Sequence, residues 1–434
     1  MGDPSMPKPA ANVSSAWASY AGELDKALKQ RNATEHTHRP ALKRLLESLG
    51  ESLTATNEPK RVACGAPDFI VTHKSTPLGY VETKDVGLDL DEVEDSEQLA
   101  RYRHSLGNLV LTDYNEFRWY VFGEKRLTCR LGTACARQGL TVEDGGAESV
   151  LELLQAFLKA EVPVLRSPRE LAERMASLAR LIRAIIETAL ETGDEAKVLQ
   201  EQLRGFRKVL LQELSESEFA DMYAQTIAYG LFAARFNHSG AAAFTREHAA
   251  YELPKTNPFL RKLFAHIAGP ELDDRIVWAV DDLAELLNKC DTNRILKNFG
   301  KRSRREDPVV HFYETFLAEY DPRMREARGV YYTPEPVVSY IVNSIDHVLR
   351  SDFDLDDGLA DSGTISLKVG KEKNGRNITK SYPRVLVLDP AVGTGTFLYN
   401  VIDSIHERFK GNKGLWSSYV SQVPVRWTAG VRRA

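Results

Sequence analysis

The 434-residue sequence is poor in several features that would have fixed its class at once. It has four cysteines, Cys64, Cys129, Cys135 and Cys290, and no CxxC pair among them. Neither a zinc knuckle nor a disulfide framework is therefore expected. It has no GxxxxGK[ST] loop, which removes a P-loop ATP motor. No apolar run is long enough to span a bilayer. The first fifteen residues, rich in Pro, Ala and Ser, lack the apolar core of a signal peptide and read as a disordered lead-in. Together these absences point to a cytoplasmic protein with no membrane partner. The charge excess is also small, a net −4, so any surface for a polyanion must be local. The one dense basic run is Lys301-Arg302-Ser303-Arg304-Arg305, which on its own reads equally well as a solvated loop.

What is present is globular: 43% hydrophobic and 27% charged residues, with length for two to four domains. After the lead-in, residues 1–15, residues 16–145 mix helix and strand. Leu24 and Leu28, then Leu42, Leu45, Leu46 and Leu49, recur at helical spacing. Strands are expected at Asp68–Thr72, Gly79–Lys84, Leu109–Thr112 and Phe117–Phe122, with a helix over Asp95–Leu106 and a turn at Asp113–Glu116. Residues 146–320 read as a helical connector. In it Leu171, Met175, Leu178, Ile182, Ile185 and Ala189 form one apolar stripe that packing explains. Residues 321–410 carry an amphipathic helix through Val337–Leu349, a polar insertion, and an apolar run, Val385–Leu388, expected to be a strand. The strand would end in Asp389-Pro390 and a glycine turn, with a helix starting near Thr396.

Two constellations carry chemistry. In the first region Pro67-Asp68 opens a strand and Glu82-Thr-Lys84 ends the next. Alternation along a strand puts Glu82 and Lys84 on one face and Thr83 on the other. A hairpin through His73–Pro77 brings Asp68 beside them. Two carboxylates offer hard oxygen ligands for Mg²⁺ and a lysine offers positive charge for phosphodiester cleavage. Gln98 and Tyr102, four apart, share a helix face. His36 and His38 are expected to face solvent or DNA. In the third region, Gly393-Thr-Gly395 at a helix start lets backbone approach a ligand and offers unpaired N–H groups. The segment Gly329-Val-Tyr-Tyr-Thr-Pro334 lies upstream of it.

The first constellation resembles the PD-(D/E)xK nuclease superfamily. Glu35 resembles the acidic residue contributed by that family's first helix, and Gln98-Leu-Ala-Arg-Tyr102 resembles its QxxxY motif. The resemblance implies an αβββαβ domain, with Asp68 and Glu82 as metal ligands and Asp68, Glu82, Lys84, Glu35, Gln98 and Tyr102 as catalytic residues. The second constellation resembles the opening motifs of gamma-order N6-adenine DNA methyltransferases. It implies a partial Rossmann-like fold in which Tyr332, Thr333, Pro334, Asp389, Pro390, Gly393 and Gly395 border S-adenosylmethionine. In order, the three regions resemble a type IIG single-chain restriction–modification enzyme, including the type IIL members, acting on double-stranded DNA. The fold class implied is α/β and α.

No acidic residue follows Glu407, and no Asn/Asp-Pro-Pro loop of the kind that family uses on a flipped adenine occurs anywhere. Residues 411–434 read as a frameshifted or disordered tail, with the remaining methyltransferase and target-recognition portions missing. Methyl transfer by this chain alone is therefore not expected. Two alternatives stand beside this reading. One is an inactive DNA-binding remnant of a broken restriction–modification gene; the other is a modification-only enzyme completed by another subunit.

Overall fold

The computed structural model describes residues 13–30, 34–57, 65–74, 76–135, 138–160, 165, 167–191, 196–209, 211–238, 244–252, 264, 268–269, 272–297, 308–322, 333, 335–371, 377–390, 392, 395–410, 416–417 and 419. The chain divides into two compact units: residues 1–299 with 311–320, and residues 300–310 with 321–434.

The first unit opens with two helices, α1 (Val13–Gln30) and α2 (Glu35–Ser48). The strands β1 (Leu53–Thr56), β2 (Phe69–His73) and β3 (Thr76–Thr83) follow. A short helix, α3 (Leu90–Glu94), precedes α4 (Glu97–Ser105), which fills the helix expected over Asp95–Leu106. Its start has a local cause: Ser96 is an N-cap whose hydroxyl accepts from the Leu99 amide. Then come β4 (Asn108–Thr112), β5 (Glu116–Val121), β6 (Glu124–Arg130), β7 (Gly132–Cys135) and β8 (Gly139–Val142). Strands β1 to β6 form one sheet in sequence order, antiparallel except for the parallel pair β3–β4. That pair is parallel because helices α3 and α4 carry the chain back across the sheet between them. The turn between β4 and β5 is set by Asp113, whose carboxylate accepts from the amides of Asn115 and Glu116 at 3.0 and 2.6 Å.

Helix α5 (Gly146–Leu158) follows the sheet. Leu24, Leu28, Leu42, Leu45, Leu46 and Leu49 of α1, α2 and the turn after it form one buried core with Phe69, Val71, Val81 and Val110 of the sheet and Phe157 of α5. Each such side chain contributes roughly 1.5–3 kcal/mol on burial, which fixes the register of β2 against β3. Gly79 is required at its place in β3, because a Cβ there would lie 2.4 Å from the Phe157 ring.

The helical part of the first unit holds α6 (Pro168–Glu191), α7 (Lys197–Val209), α8 (Glu216–Asn237), α9 (Arg246–Glu252), α10 (Asp274–Asn288), α11 (Thr292–Lys297) and, from His311 on, α12 (Pro308–Tyr320). The apolar stripe of α6, from Leu171 to Ala189, is buried throughout. Tyr320 at the end of α12 donates to buried Asp221 at 2.8 Å. Helix α10 reaches the sheet, where Trp278 packs edge-on to Tyr80 at 5.4 Å. Strand β3 is thereby covered on both faces, and Gly79–Thr83 are all buried.

The second unit contains α13 (Glu335–Ser351), the hairpin β9 (Thr364–Lys371) and β10 (Asn377–Pro383), and α14 (Thr396–Arg408). Val338, Val342, Leu359, Ala360, Val401 and Ile405 make its core. Asp346 ties it together, accepting from Arg408 at 2.8 Å and from the Leu359 amide at 2.9 Å. The expected strand over Val385–Leu388 is not formed: these residues join no ladder among the described residues. Val385 and Val387 pack on the core while Leu386 and Leu388 are 65% and 63% exposed. The alternation of a strand is present without a partner strand to make it one. Trp416 and Tyr419 stack on each other, and both rings lie tilted against Phe409.

Candidate functional site

The end of β3 and the start of β2 meet where the hairpin register puts them. Phe69 pairs with Val81, so Asp68 and Glu82 occupy the next rung. The Glu82 carboxylate accepts from the Asp68 amide at 3.3 Å and from Lys84 Nζ at 2.7 Å. Glu82 and Lys84 thus share a side of the strand end, as their spacing requires. Asp68 and Glu82 are nearly inaccessible, at 2% and 4% exposure.

Thr83 is not turned away from the cluster. Its amide and hydroxyl both donate to Asp68 Oδ2, at 2.7 and 2.6 Å. The other oxygen, Oδ1, takes a guanidinium N–H of Arg39 from α2. Neither contact follows from strand alternation. The Thr83 contact arises where the strand ends and a side chain from β2 reaches its backbone. The Arg39 contact needs the tertiary placement of α2.

Burial, and then the neighbouring Asp68 carboxylate, push Glu82 up to about 7, against the pull of Lys84. The donor set fits a hard divalent cation. Mg²⁺ commonly takes one or two carboxylates and completes its shell with water or phosphate, and here two carboxylates lie side by side with their negative charge poorly solvated. A carboxylate has about four acceptor positions; Asp68 uses three in these contacts and Glu82 two. Among the described residues there is no group of three or more His, Cys, Asp or Glu arranged for a metal.

Gln98 and Tyr102 touch on one face of α4: the Gln98 amide donates to Tyr102 Oη at 3.0 Å. Tyr102 is buried and donates to the Gly65 carbonyl at 2.7 Å. Burial and the Glu82 charge raise its pKa, so it stays a neutral donor. Its visible work is to pin the segment that presents Asp68. Gln98 is exposed. The side chain of Glu35, at the start of α2, lies outside the described residues. His36 is exposed, but His38 is buried against the Tyr114 ring at 5.0 Å. Burial lowers its pKa despite the opposing pull of Asp85. His38 is therefore a core residue and faces neither solvent nor DNA.

In the second unit, Thr333 is half-buried ahead of α13, Asp389 is half-buried and Pro390 is exposed. Gly395, at φ +82°, caps α14 and accepts from the Tyr399 amide at 2.8 Å. That left-handed turn is open to glycine at no steric cost. A helix start of this kind suits a carboxylate or ribose oxygen. Tyr332, Pro334, Gly393 and the basic run Lys301–Arg305 lie outside the described residues. The Asn400 amide donates to Ser339 at 3.2 Å and links α14 to α13.

No curated protein matches the chain. One solved structure, titled "cryoEM structure DrdV-DNA complex", is similar at 20% identity with a TM-score of 0.34, covering 91% of this chain and 36% of that one. The chain therefore spans about a third of that protein's length. Residues 304–423 match the family profile described as N-6 DNA Methylase. That match takes in α13, the β9–β10 hairpin and α14.

Proposed function

We propose that the chain is the nuclease, connector and leading methyltransferase portion of a restriction–modification enzyme of the type IIG class, acting on double-stranded DNA. The observation that carries the nuclease half is the placement of Glu82, held between the Asp68 amide and the Lys84 ammonium at the end of β3. The order helix, three strands, two helices, strand from α2 to β4 supports this reading, with the short α3 added to the αβββαβ pattern.

In this reading Asp68 and Glu82 hold Mg²⁺, which when bound supplies charge stabilisation at the scissile phosphate and acidifies a water. Lys84 steadies the negative charge that develops on the phosphoryl oxygens or orients the attacking water. Thr83 fixes the Asp68 carboxylate, and Tyr102 fixes the segment before it. Supercoiled plasmid incubated with the purified full chain and Mg²⁺ is expected to be nicked. Glu82→Gln and Lys84→Ala are expected to slow nicking at least about a hundredfold, with circular dichroism unchanged. Full nicking by the Lys84→Ala chain would remove the role assigned to that lysine.

The family match supports the methyltransferase half of this reading, in which Thr333, Asp389 and Gly395, together with Tyr332, Pro334, Pro390 and Gly393, border the methionine and ribose ends of S-adenosylmethionine. These residues bind and orient. The loop that would accept the amino group of an adenine is not in the 434 residues, which contain no Pro-Pro pair. Purified chain is expected to transfer no labelled methyl group from S-adenosylmethionine to DNA; incorporation above background would refute this.

A further inference from the structure

One member of the buried cluster has no part in the cleavage scheme above. Arg39 leaves α2 and ends on Asp68 Oδ1, with its side chain 11% exposed and that of Asp68 3% exposed. A guanidinium buried to this degree keeps its place only because it is paired. Thr83 occupies Oδ2 through two donors, which leaves Oδ1 as the oxygen that would meet a cation. The cation found there is a side chain.

The charge count sets a constraint. Arg39 and Lys84 are positive, and Asp68 and Glu82, when ionised, are negative, so the cluster is balanced. Adding a divalent cation with every side chain in place would leave two uncompensated positive charges in a buried site. Moving one guanidinium out, toward a phosphate that can pair with it through two N–H groups, removes half of that excess and brings a counter-charge with the DNA.

We propose that Arg39 is a positioning residue that holds Asp68 Oδ1 in the metal-free protein, competes with the divalent cation for that oxygen, and turns to a DNA phosphate when the metal displaces it. The inference rests on the reading of Asp68, Glu82 and Lys84 as a metal-dependent cleavage site. Removing the competitor strengthens metal binding, while removing the phosphate partner weakens DNA binding in the loaded state. A side chain with a merely structural role would change neither in that pattern.

The test is calorimetric titration of the full chain with Mg²⁺, and separately with a DNA duplex in the presence and absence of Mg²⁺. The proteins compared are wild type, Arg39→Gln, Arg39→Lys and Asp68→Asn. Arg39→Gln is expected to bind Mg²⁺ about tenfold more tightly than wild type, and to lose the Mg²⁺-dependent gain in DNA affinity that wild type shows. Arg39→Lys, which keeps the charge and loses the fork, is expected to fall between the two. Should the glutamine variant fail to fold, the lysine variant carries the same comparison. Equal or weaker Mg²⁺ binding by the folded Arg39 variants overturns the inference. Undiminished Mg²⁺ binding by Asp68→Asn overturns the metal-site reading beneath it. Loss of binding in Asp68→Asn with no gain in the Arg39 variants sinks the Arg39 role alone.

Discussion

Glu82 holds its proton up to about pH 7 in the folded chain, because burial and the Asp68 carboxylate disfavour its charge. The unfolded chain releases that proton near the ordinary glutamate value, 4.5. Between these two values the native state binds more protons than the unfolded state, so stability falls as pH rises. The contribution is fully present below the unfolded pKa and is lost as pH climbs through the folded one. Thermal melts from pH 4.5 to 8 are expected to show a declining midpoint in wild type and a flatter profile in Glu82→Gln. An identical slope in both would mean that another group carries the titration. At this scale the sequence named Glu82, Lys84, Gln98 and Tyr102 because local geometry enforces their spacing, two along a strand and four along a helix, and Asp68 because a short hairpin sets it opposite Glu82. It gave no sign of Arg39, whose partner lies 29 positions away and is reached only through the packing of α2. It also misplaced His38, since nothing in Thr34–Pro40 announces that this turn of α2 faces Tyr114.

Strand β3 shows why an element can be read correctly and its environment missed. Its alternation is real, yet all of Gly79–Thr83 are buried, because α5 lies on one side and Trp278 of α10 on the other. The glycine that lets Phe157 approach is therefore a packing requirement. Gly79→Ala puts a methyl 2.4 Å from that ring and is expected to cost about 1–3 kcal/mol, as overpacking of a filled core does. Urea denaturation followed by tryptophan fluorescence measures it, and a loss below about 0.5 kcal/mol would show that the ring yields freely. The same element carries Glu82, so nicking activity is expected to fall with stability in this variant. The segment Val385–Leu388 is the opposite case. Its composition is that of a buried parallel strand, and it joins no ladder among the described residues.

At the scale of the whole molecule, Leu386 and Leu388 stand exposed beside a well-formed small core. Exposed apolar side chains close together on a surface are a site for unwanted association. Leu386→Lys with Leu388→Lys is expected to raise the concentration at which the purified chain stays monodisperse, with a change in stability within about 0.5 kcal/mol; light scattering and thermal melts read both. A clear loss of stability would mean that these leucines are packed in solution. By itself the sequence determined the amphipathic helices, the β2–β3 hairpin, the glycine turn before Thr396 and the carboxylate–lysine pattern, because each is set by neighbours within a few residues along the chain. Only the tertiary structure decided that α2 delivers a guanidinium to Asp68, that both faces of β3 are covered and that Val385–Leu388 has no ladder partner among the described residues. Those outcomes depend on which distant segments pack together, and packing free energy is summed over surfaces that no local spacing encodes.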